Sequence, residues 1–161
     1  MTDQLNLRPA EMADAENLFV WRNDPDTRKG SHNSDEVIFE SHLAWLEASL
    51  DFPEQNKPEK NKPKQRLLWI AEVNGVAVGT CRADRVENAW ELSWTVAPEA
   101  RGKGFAHQML SKLVHYFDEP LVALVKVGNI ASMKVAERAG FVLKQDTEQE
   151  GDILLYTRRP S

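Results

Sequence analysis

The chain has 161 residues, with 20 Lys and Arg against 25 Asp and Glu, a net charge of −5 and a single cysteine. That length suits one domain, 1–161, with a real core. Cys81 alone cannot build a disulfide scaffold or a cysteine zinc cluster, and the acidic balance speaks against a nucleic-acid partner. The polar start MTDQLNLRP is unlike a signal peptide, and no apolar run approaches the roughly 20 residues that span a bilayer, so a cytoplasmic protein with no membrane partner is expected.

Alternation over Leu5 to Arg8 predicts a strand, and Pro9 fits the first turn of a following helix. Met12, Ala15, Leu18 and Phe19 recur at helical spacing, which extends that helix from Ala10 to about Arg22. Asn23-Asp24-Pro25-Asp26 ends it, because the residue before proline avoids the helical region. A second helix is expected over Glu40 to Leu50, where His42, Trp45, Leu46 and Ser49 share one face. Asp51 to Arg66, rich in Lys and Pro and without periodicity, reads as a loop inside the domain, with a polybasic binding element as the alternative.

Leu67 to Val73 and Val76 to Ala83 are strand-like runs around Asn74-Gly75, a hairpin signal because both turn positions need positive φ. Trp90 to Val96 continues the meander, and Gly104 to Phe117 is an amphipathic helix. Leu121 to Val127, almost wholly apolar, is expected to be a strand buried on both faces. Asn129 to Ala139 is a short helix stopped by Gly140, and Phe141 to Lys144 and Ile153 to Thr157 supply two last strands. The order β-α-α-β-β-β-α-β-α-β-β predicts an α/β fold with helices on both faces of a mixed sheet.

The chemistry concentrates in Val96-Ala97-Pro98-Glu99-Ala100-Arg101-Gly102-Lys103-Gly104-Phe105-Ala106. A strand ends there, a Gly-rich turn follows and a helix begins, so backbone N–H groups without helical partners gather at the positive end of a helix dipole. Gly102 and Gly104 let an anion approach, and Arg101 and Lys103 add charge. A tight strand-to-helix connection is the plainer reading of the same residues. No Lys-Ser/Thr follows the glycines, and their spacing fails the dinucleotide fingerprint.

Arg101-x-x-Gly104-x-Ala106, with Val96 and Pro98 upstream, resembles the Arg/Gln-x-x-Gly-x-Gly/Ala signature of the GNAT N-acetyltransferase superfamily. Asn129-Ile-Ala-Ser132 and Glu137-Arg-Ala-Gly140-Phe141 are similar to that superfamily's second cofactor segment, and the element order matches over essentially the whole chain. The resemblance implies a mostly antiparallel sheet of about seven strands, splayed between the fourth and fifth, with acetyl-CoA as cosubstrate in the opening. In it the amides of Arg101, Gly102, Lys103, Gly104, Phe105 and Ala106 would hold the pyrophosphate. The Val96 amide, at a bulged strand end, would meet pantetheine or the thioester carbonyl, and Asn129 and Ser132 would line the other wall.

For transfer to an amine, the resemblance and the strand position point to Glu91 as general base, five residues before Val96; a solvated strand residue is the alternative. Alternation puts Glu91, Ser93 and Thr95 on one face of that strand. The tyrosine that many relatives use as acid is replaced by Ala136, so Ser132 becomes the candidate acid, with Tyr116 and Tyr156 as alternatives.

Trp21-Arg22-Asn23-Asp24-Pro25 and Glu40-Ser41-His42-Leu43-Ala44-Trp45 are similar to the nucleotide-amino-sugar N-acetyltransferases of the pseudaminic acid pathway type. That likeness implies a small-molecule amine acceptor, a nucleotide-linked amino sugar, with Arg22, His42 and Thr80 as substrate contacts and Arg82 adding to them. The alternatives are an Arg22 ion pair with Asp24 or Asp26 and a His42 at a core edge. His32, His107 and His115 read as solvated or locally bonded, with no metal-ligand spacing, so no metal is expected. Four of the five tryptophans, Trp45, Trp69, Trp90 and Trp94, read as core, and Cys81 as a buried, inert thiol. A ribosomal-protein-type amino-terminal acetyltransferase and a non-catalytic CoA-binding module remain as alternatives, and a homodimer is allowed.

Overall fold

A computed structural model of the chain describes residues 4–25, 27, 38–50, 66–144 and 153–160. The strands are β1 (Leu5–Pro9), β2 (Arg66–Val73), β3 (Val76–Val86), β4 (Ala89–Val96), β5 (Leu121–Lys126), β6 (Val142–Leu143) and β7 (Ile153–Arg158). They form one sheet in the order β1-β2-β3-β4-β5-β7-β6. Only the β4–β5 pair is parallel; the others are antiparallel. The helices are α1 (Ala15–Asn23), α2 (Phe39–Leu50), α3 (Phe105–Leu113) and α4 (Ile130–Arg138). The predicted loop 51–66 lies outside the described residues except for Arg66, which begins β2 instead of ending a loop. Asp26 and His32 are also outside them.

Local chemistry fixes the first connection. Arg8 on β1 donates to both Asp14 oxygens (2.9 and 2.7 Å) and to Glu72 on β2 (2.7 Å), while Asp14 accepts the Glu11 N–H (2.8 Å). Burial works to raise the Asp14 pKa, but the Arg8 guanidinium and the Glu11 N–H outweigh it and hold the carboxyl below its usual range. The helix expected from Ala10 therefore begins as a 3-10 turn at Met12–Asp14, pinned to the sheet, before α1 proper.

Asn74 (φ 54°) and Gly75 (φ 79°) form the predicted hairpin turn. The pairing then shifts by one residue between Ala71 and Glu72, which leaves Val78 unmatched on β3. This bulge sets which residues of β2 and β3 share a face. Arg66 pairs with Asp84 and Leu68 with Arg82, while Asp84 pairs with Glu91, Arg82 with Ser93 and Thr80 with Thr95. Those residues form one face of the sheet, toward α2: Arg66 donates to Ser49 of that helix (3.0 Å). On the other face, a Cβ on Gly79 would lie 2.5 Å from the Thr95 oxygen and 3.2 Å from Met109 of α3. Only glycine allows β3, β4 and α3 to close up there.

The core follows from these two faces. Leu46 of α2 and Leu18 and Trp21 of α1 are buried on one side, and Met109, Leu110 and Leu113 of α3 on the other. Each such side chain stabilises the fold by about 1.5–3 kcal/mol relative to exposure. β5 departs from expectation: Leu121, Ala123 and Val125 are buried, but Val122, Leu124 and Lys126 are only partly so. At Leu124 the strand faces an opening instead of a second packed layer.

Candidate active site

β4 and β5 pair only at Trp90–Leu121 and Glu91–Val122, and beyond those two rungs the strands part. A cavity of about 840 Å³ fills the gap and runs between the two faces of the sheet. It is bounded by Val96 on β4, Leu124 and Val125 on β5, the 101–106 turn, the start of α4, and residues of α1, α2 and β3.

The Ala97 N–H donates to the Val78 oxygen (2.8 Å). In an antiparallel ladder the next residue points its N–H the other way, so the Val96 N–H faces the gap beside β5. The register Gly79–Val96 is unbroken, so the bulge expected at Val96 is not there. Strand alternation turns the amide without one.

After β4, the chain makes a 3-10 turn at Pro98–Ala100 and enters α3 through Gly104, whose φ of 81° lies in the left-handed region, as does that of Gly102 (79°). The first helical bond runs from the Gln108 N–H to the Gly104 oxygen (3.2 Å), so the N–H groups of Phe105, Ala106 and His107 lie outside the helix ladder. A Cβ on Gly102 or Gly104 would meet nothing within 4 Å, and both glycines line the cavity. The turn is thus an open cradle of backbone donors at a helix N-terminus, a fit for the pyrophosphate of CoA.

The charged residues of the loop behave differently from expectation. Arg101 lines the cavity but reaches Asp24 (2.8 Å) and the Thr27 hydroxyl (2.8 Å), tying the cradle to the end of α1. Lys103 is exposed and does not line the cavity. Across the gap, Asn129 caps α4 by accepting the Ser132 N–H (3.2 Å), and Asn129 and Ser132 both line the cavity.

The α2 side of the cavity carries side chains. Glu91, Ser93 and Thr95 line it from β4, and Thr80 and Arg82 from β3. The Thr80 hydroxyl donates to the Trp69 oxygen (2.7 Å), leaving its oxygen to accept. Five residues of strand set Glu91 about 16 Å from Val96 along β4, at the paired end of the gap. Arg22 lies over the Trp45 ring at 4.9 Å, and Asp24 pairs with Arg101, so Arg22 does not take Asp24 as its partner.

His42 is 1% exposed, with Nε2 donating to the Ala15 oxygen (3.1 Å) and Nδ1 unpartnered among the described residues. Burial, then the charge of Arg22, hold its pKa below the ordinary imidazole value, so the ring is neutral at pH 7. His42 is a core residue that also lines the cavity. Cys81 is buried, and burial pushes its thiol up to about 12.

Neither alternative acid reaches the cavity. Tyr116 is exposed and packs on Trp69, with ring centroids 5.7 Å apart, and Tyr156 is fully buried between β5 and β6. Three residues went unrecognised in the sequence. Trp45 is partly exposed and lines the cavity instead of filling the core. His107 is partly buried at the cavity wall, with Nδ1 unpartnered among the described residues. Arg66 joins β2 beside Trp45, at 5.4 Å from its ring.

The acetyltransferase (GNAT) domain model matches residues 4–142. The chain belongs to the GNAT acetyltransferase family. Acetyl-CoA-dependent acyltransferase activity goes with that membership. Solved structures similar to this GNAT domain include the ribosomal L7/L12 alpha-N-protein acetyltransferase RimL in complex with coenzyme A, at 18% identity and TM-score 0.76 over 97% of this chain and 94% of that one. The spermidine N-acetyltransferase from Vibrio cholerae in complex with CoA and spermine matches at 19% identity and TM-score 0.74, over 96% and 94% of the two chains. A domain from Methanocaldococcus jannaschii matches at 18% identity and TM-score 0.77, over 97% and 98%. At these identities the likeness is one of fold. Among curated proteins, none matches the sequence. Among the described residues, no helix is long and apolar enough to cross a membrane.

Proposed function

We propose that this GNAT domain transfers the acetyl group of acetyl-CoA directly to a primary amine of a small molecule, a nucleotide-linked amino sugar. The observation that carries the transfer is the parting of β4 and β5 with the Val96 N–H turned into the gap, next to a backbone cradle at the start of α3. The amides of residues 101–106 hold the CoA pyrophosphate, with Asn129 and Ser132 on the opposite wall. Arg101 acts mainly by fixing the cradle to Asp24.

The amine nitrogen attacks the thioester carbonyl carbon; the N–C bond forms and the C–S bond breaks. Negative charge that develops on the carbonyl oxygen is met by the Val96 N–H, and losing such a donor typically costs about 3 kcal/mol in the transition state. Glu91 takes the proton that the acceptor's ammonium must lose. Because about 16 Å of strand separates it from Val96, it acts through waters held along the Ser93 and Thr95 hydroxyls. Ser132 gives a proton to the departing thiolate and regains the one that the nitrogen sheds as it becomes the amide.

The acceptor lies on the α2 side, where Arg22, His42 and Thr80 contact it. A guanidinium over an indole, with no carboxylate partner among the described residues, supports an acceptor carrying phosphate. The lone buried thiol of Cys81 suits a cytoplasmic location. Labelled acetyl-CoA offered with amino sugars free and nucleotide-linked, polyamines, amino acids and peptide amino termini tests the reading. Label entering the nucleotide-linked sugar is the expected result; label entering only peptides or only polyamines overturns it.

A further inference from the structure

Three arginines from three different elements converge on one indole. The guanidiniums of Arg22 (α1), Arg66 (β2) and Arg82 (β3) lie 4.9, 5.4 and 5.8 Å from the centre of the Trp45 ring. The carboxylate of Asp84 bridges two of them, 2.6 Å from Arg66 and 2.8 Å from Arg82. Its cross-strand neighbour is Glu91. With both carboxylates counted, the group carries one excess positive charge among the described residues, in an otherwise acidic chain.

Like charges held this close repel, and each guanidinium disfavours its neighbours. Arg22 feels this most: burial, then Arg82 and then Arg66, lower its pKa, and no carboxylate among the described residues offsets them. Trp45 offers a π-face to cations but no negative charge to neutralise them. Such a cluster is stabilised by an anion delivered from outside. Arg22, Trp45 and Arg82 all line the cavity, and Arg66 and Arg82 keep about a third of their side-chain surface exposed (33% and 32%).

We infer that Arg22, Arg66 and Arg82, held together by Trp45, form an anion subsite for a phosphate or pyrophosphate group on the acceptor, and that this subsite turns polyamines away. The inference rests on the acceptor-side reading above and sharpens it with a length. Arg82 pairs with Ser93, three residues before Val96. The anion therefore sits about 10 Å along β4 from the amide that meets the thioester. The acceptor must present its amine and its phosphate at about that separation. A polycation of the same length would place a second ammonium against the guanidiniums.

Calorimetric titration of inorganic pyrophosphate into the full chain, saturated with CoA so that the backbone cradle is already filled, tests the subsite. One pyrophosphate per chain is expected, with affinity about tenfold weaker in Arg22→Gln and in Arg82→Gln, and CoA affinity within about twofold of wild type. Arg22→Lys, which keeps the charge, should fall between. Melting curves check that the Arg22 and Arg82 variants keep the fold. Pyrophosphate heats that are absent in wild type, or as large in both glutamine variants as in wild type, overturn the subsite. Acetylation of a UDP-linked amino sugar on the same proteins separates the two claims. Equal rates in wild type and variants overturn the subsite and leave the acetyltransferase reading standing. Pyrophosphate held by the three arginines, with no such sugar acetylated, supports the subsite and removes the nucleotide sugar as acceptor.

Discussion

On the α3 side of the cleft, the cavity meets the backbone of one short stretch, 101–106 apart from Lys103, with Val96 just upstream and His107 at the wall. On the α2 side it meets guanidinium, indole, imidazole, carboxyl and hydroxyl groups from α1, α2, β3 and β4, with the apolar Leu68 of β2 beside them. The first half needs only a turn of defined φ and a helix start; the second needs five elements in register. A conserved ligand such as acetyl-CoA can be held by the first whatever its side chains become. A variable acceptor has to be recognised by the second. Arg101 shows the difference: the loop's own cation turns out to the α1 side and pairs with Asp24 instead of waiting in the cradle.

If the cofactor half depends on backbone, the largest effect comes from a side chain placed in the cradle. Gly104→Val puts a branched residue at φ 81°, in the left-handed region, and its Cβ into open cavity. A loss of CoA affinity of more than about 10²-fold is expected by calorimetry, from strain of about 1–2 kcal/mol plus the blocked approach. Unchanged affinity would break the idea of a backbone cradle. Next, Ser132→Ala keeps the backbone N–H that Asn129 caps. It should lower kcat by about 10²-fold through loss of the proton donor, with an unchanged melting temperature. A fall in stability instead of rate would make Ser132 a capping residue only.

The tie between the halves gives a smaller effect. Asp24→Asn weakens the Arg101 contact, and an exposed pair of this kind contributes about 0.2–1 kcal/mol. A change of up to about fivefold in acceptor KM, with CoA affinity nearly constant, is expected from steady-state kinetics; CoA affinity falling alone would assign the pair to the cofactor half. The smallest effect is on stability. The folded-state pKa of His42 is depressed by burial and by Arg22. Its contribution is therefore fully present above the ordinary imidazole pKa of about 6.5 and is lost as pH falls below it. The melting temperature of wild type should drop over that range, and His42→Gln should flatten the drop.

The same contrast decides what the sequence could tell. The cofactor half is local: Arg101-x-x-Gly104-x-Ala106, the proline at Pro98 and the apolar spacing of Phe105, Met109 and Leu110 lie within 15 residues, and the family follows from them. The strands around Asn74-Gly75 and the amphipathic α3 were equally readable, because period and turn chemistry are written in neighbouring residues. The acceptor half was not. An unbulged hairpin counted from Val73–Val76 would set Arg66 opposite Ala83, on the face away from Arg82. The unmatched Val78 turns Arg66 onto the face of Arg82 and Asp84, and no residue preference in Val76-Ala77-Val78-Gly79 signals that bulge. Trp45 looked like core because a tryptophan at helical spacing beside Leu46 usually is; the three arginines that surround it lie 16 to 60 positions from one another in the chain. The bulge expected at Val96 was unnecessary, since ladder alternation alone aims that amide.

The most direct test of the central claim, an enzyme whose cofactor grip and general base reside in separate halves, is Glu91→Gln measured twice: acetyl transfer by release of free CoA thiol, and CoA affinity by calorimetry. The expected result is a kcat about 10²-fold lower with CoA affinity unchanged. Equal turnover in mutant and wild type, or a loss of CoA affinity that matches the loss of rate, would contradict it.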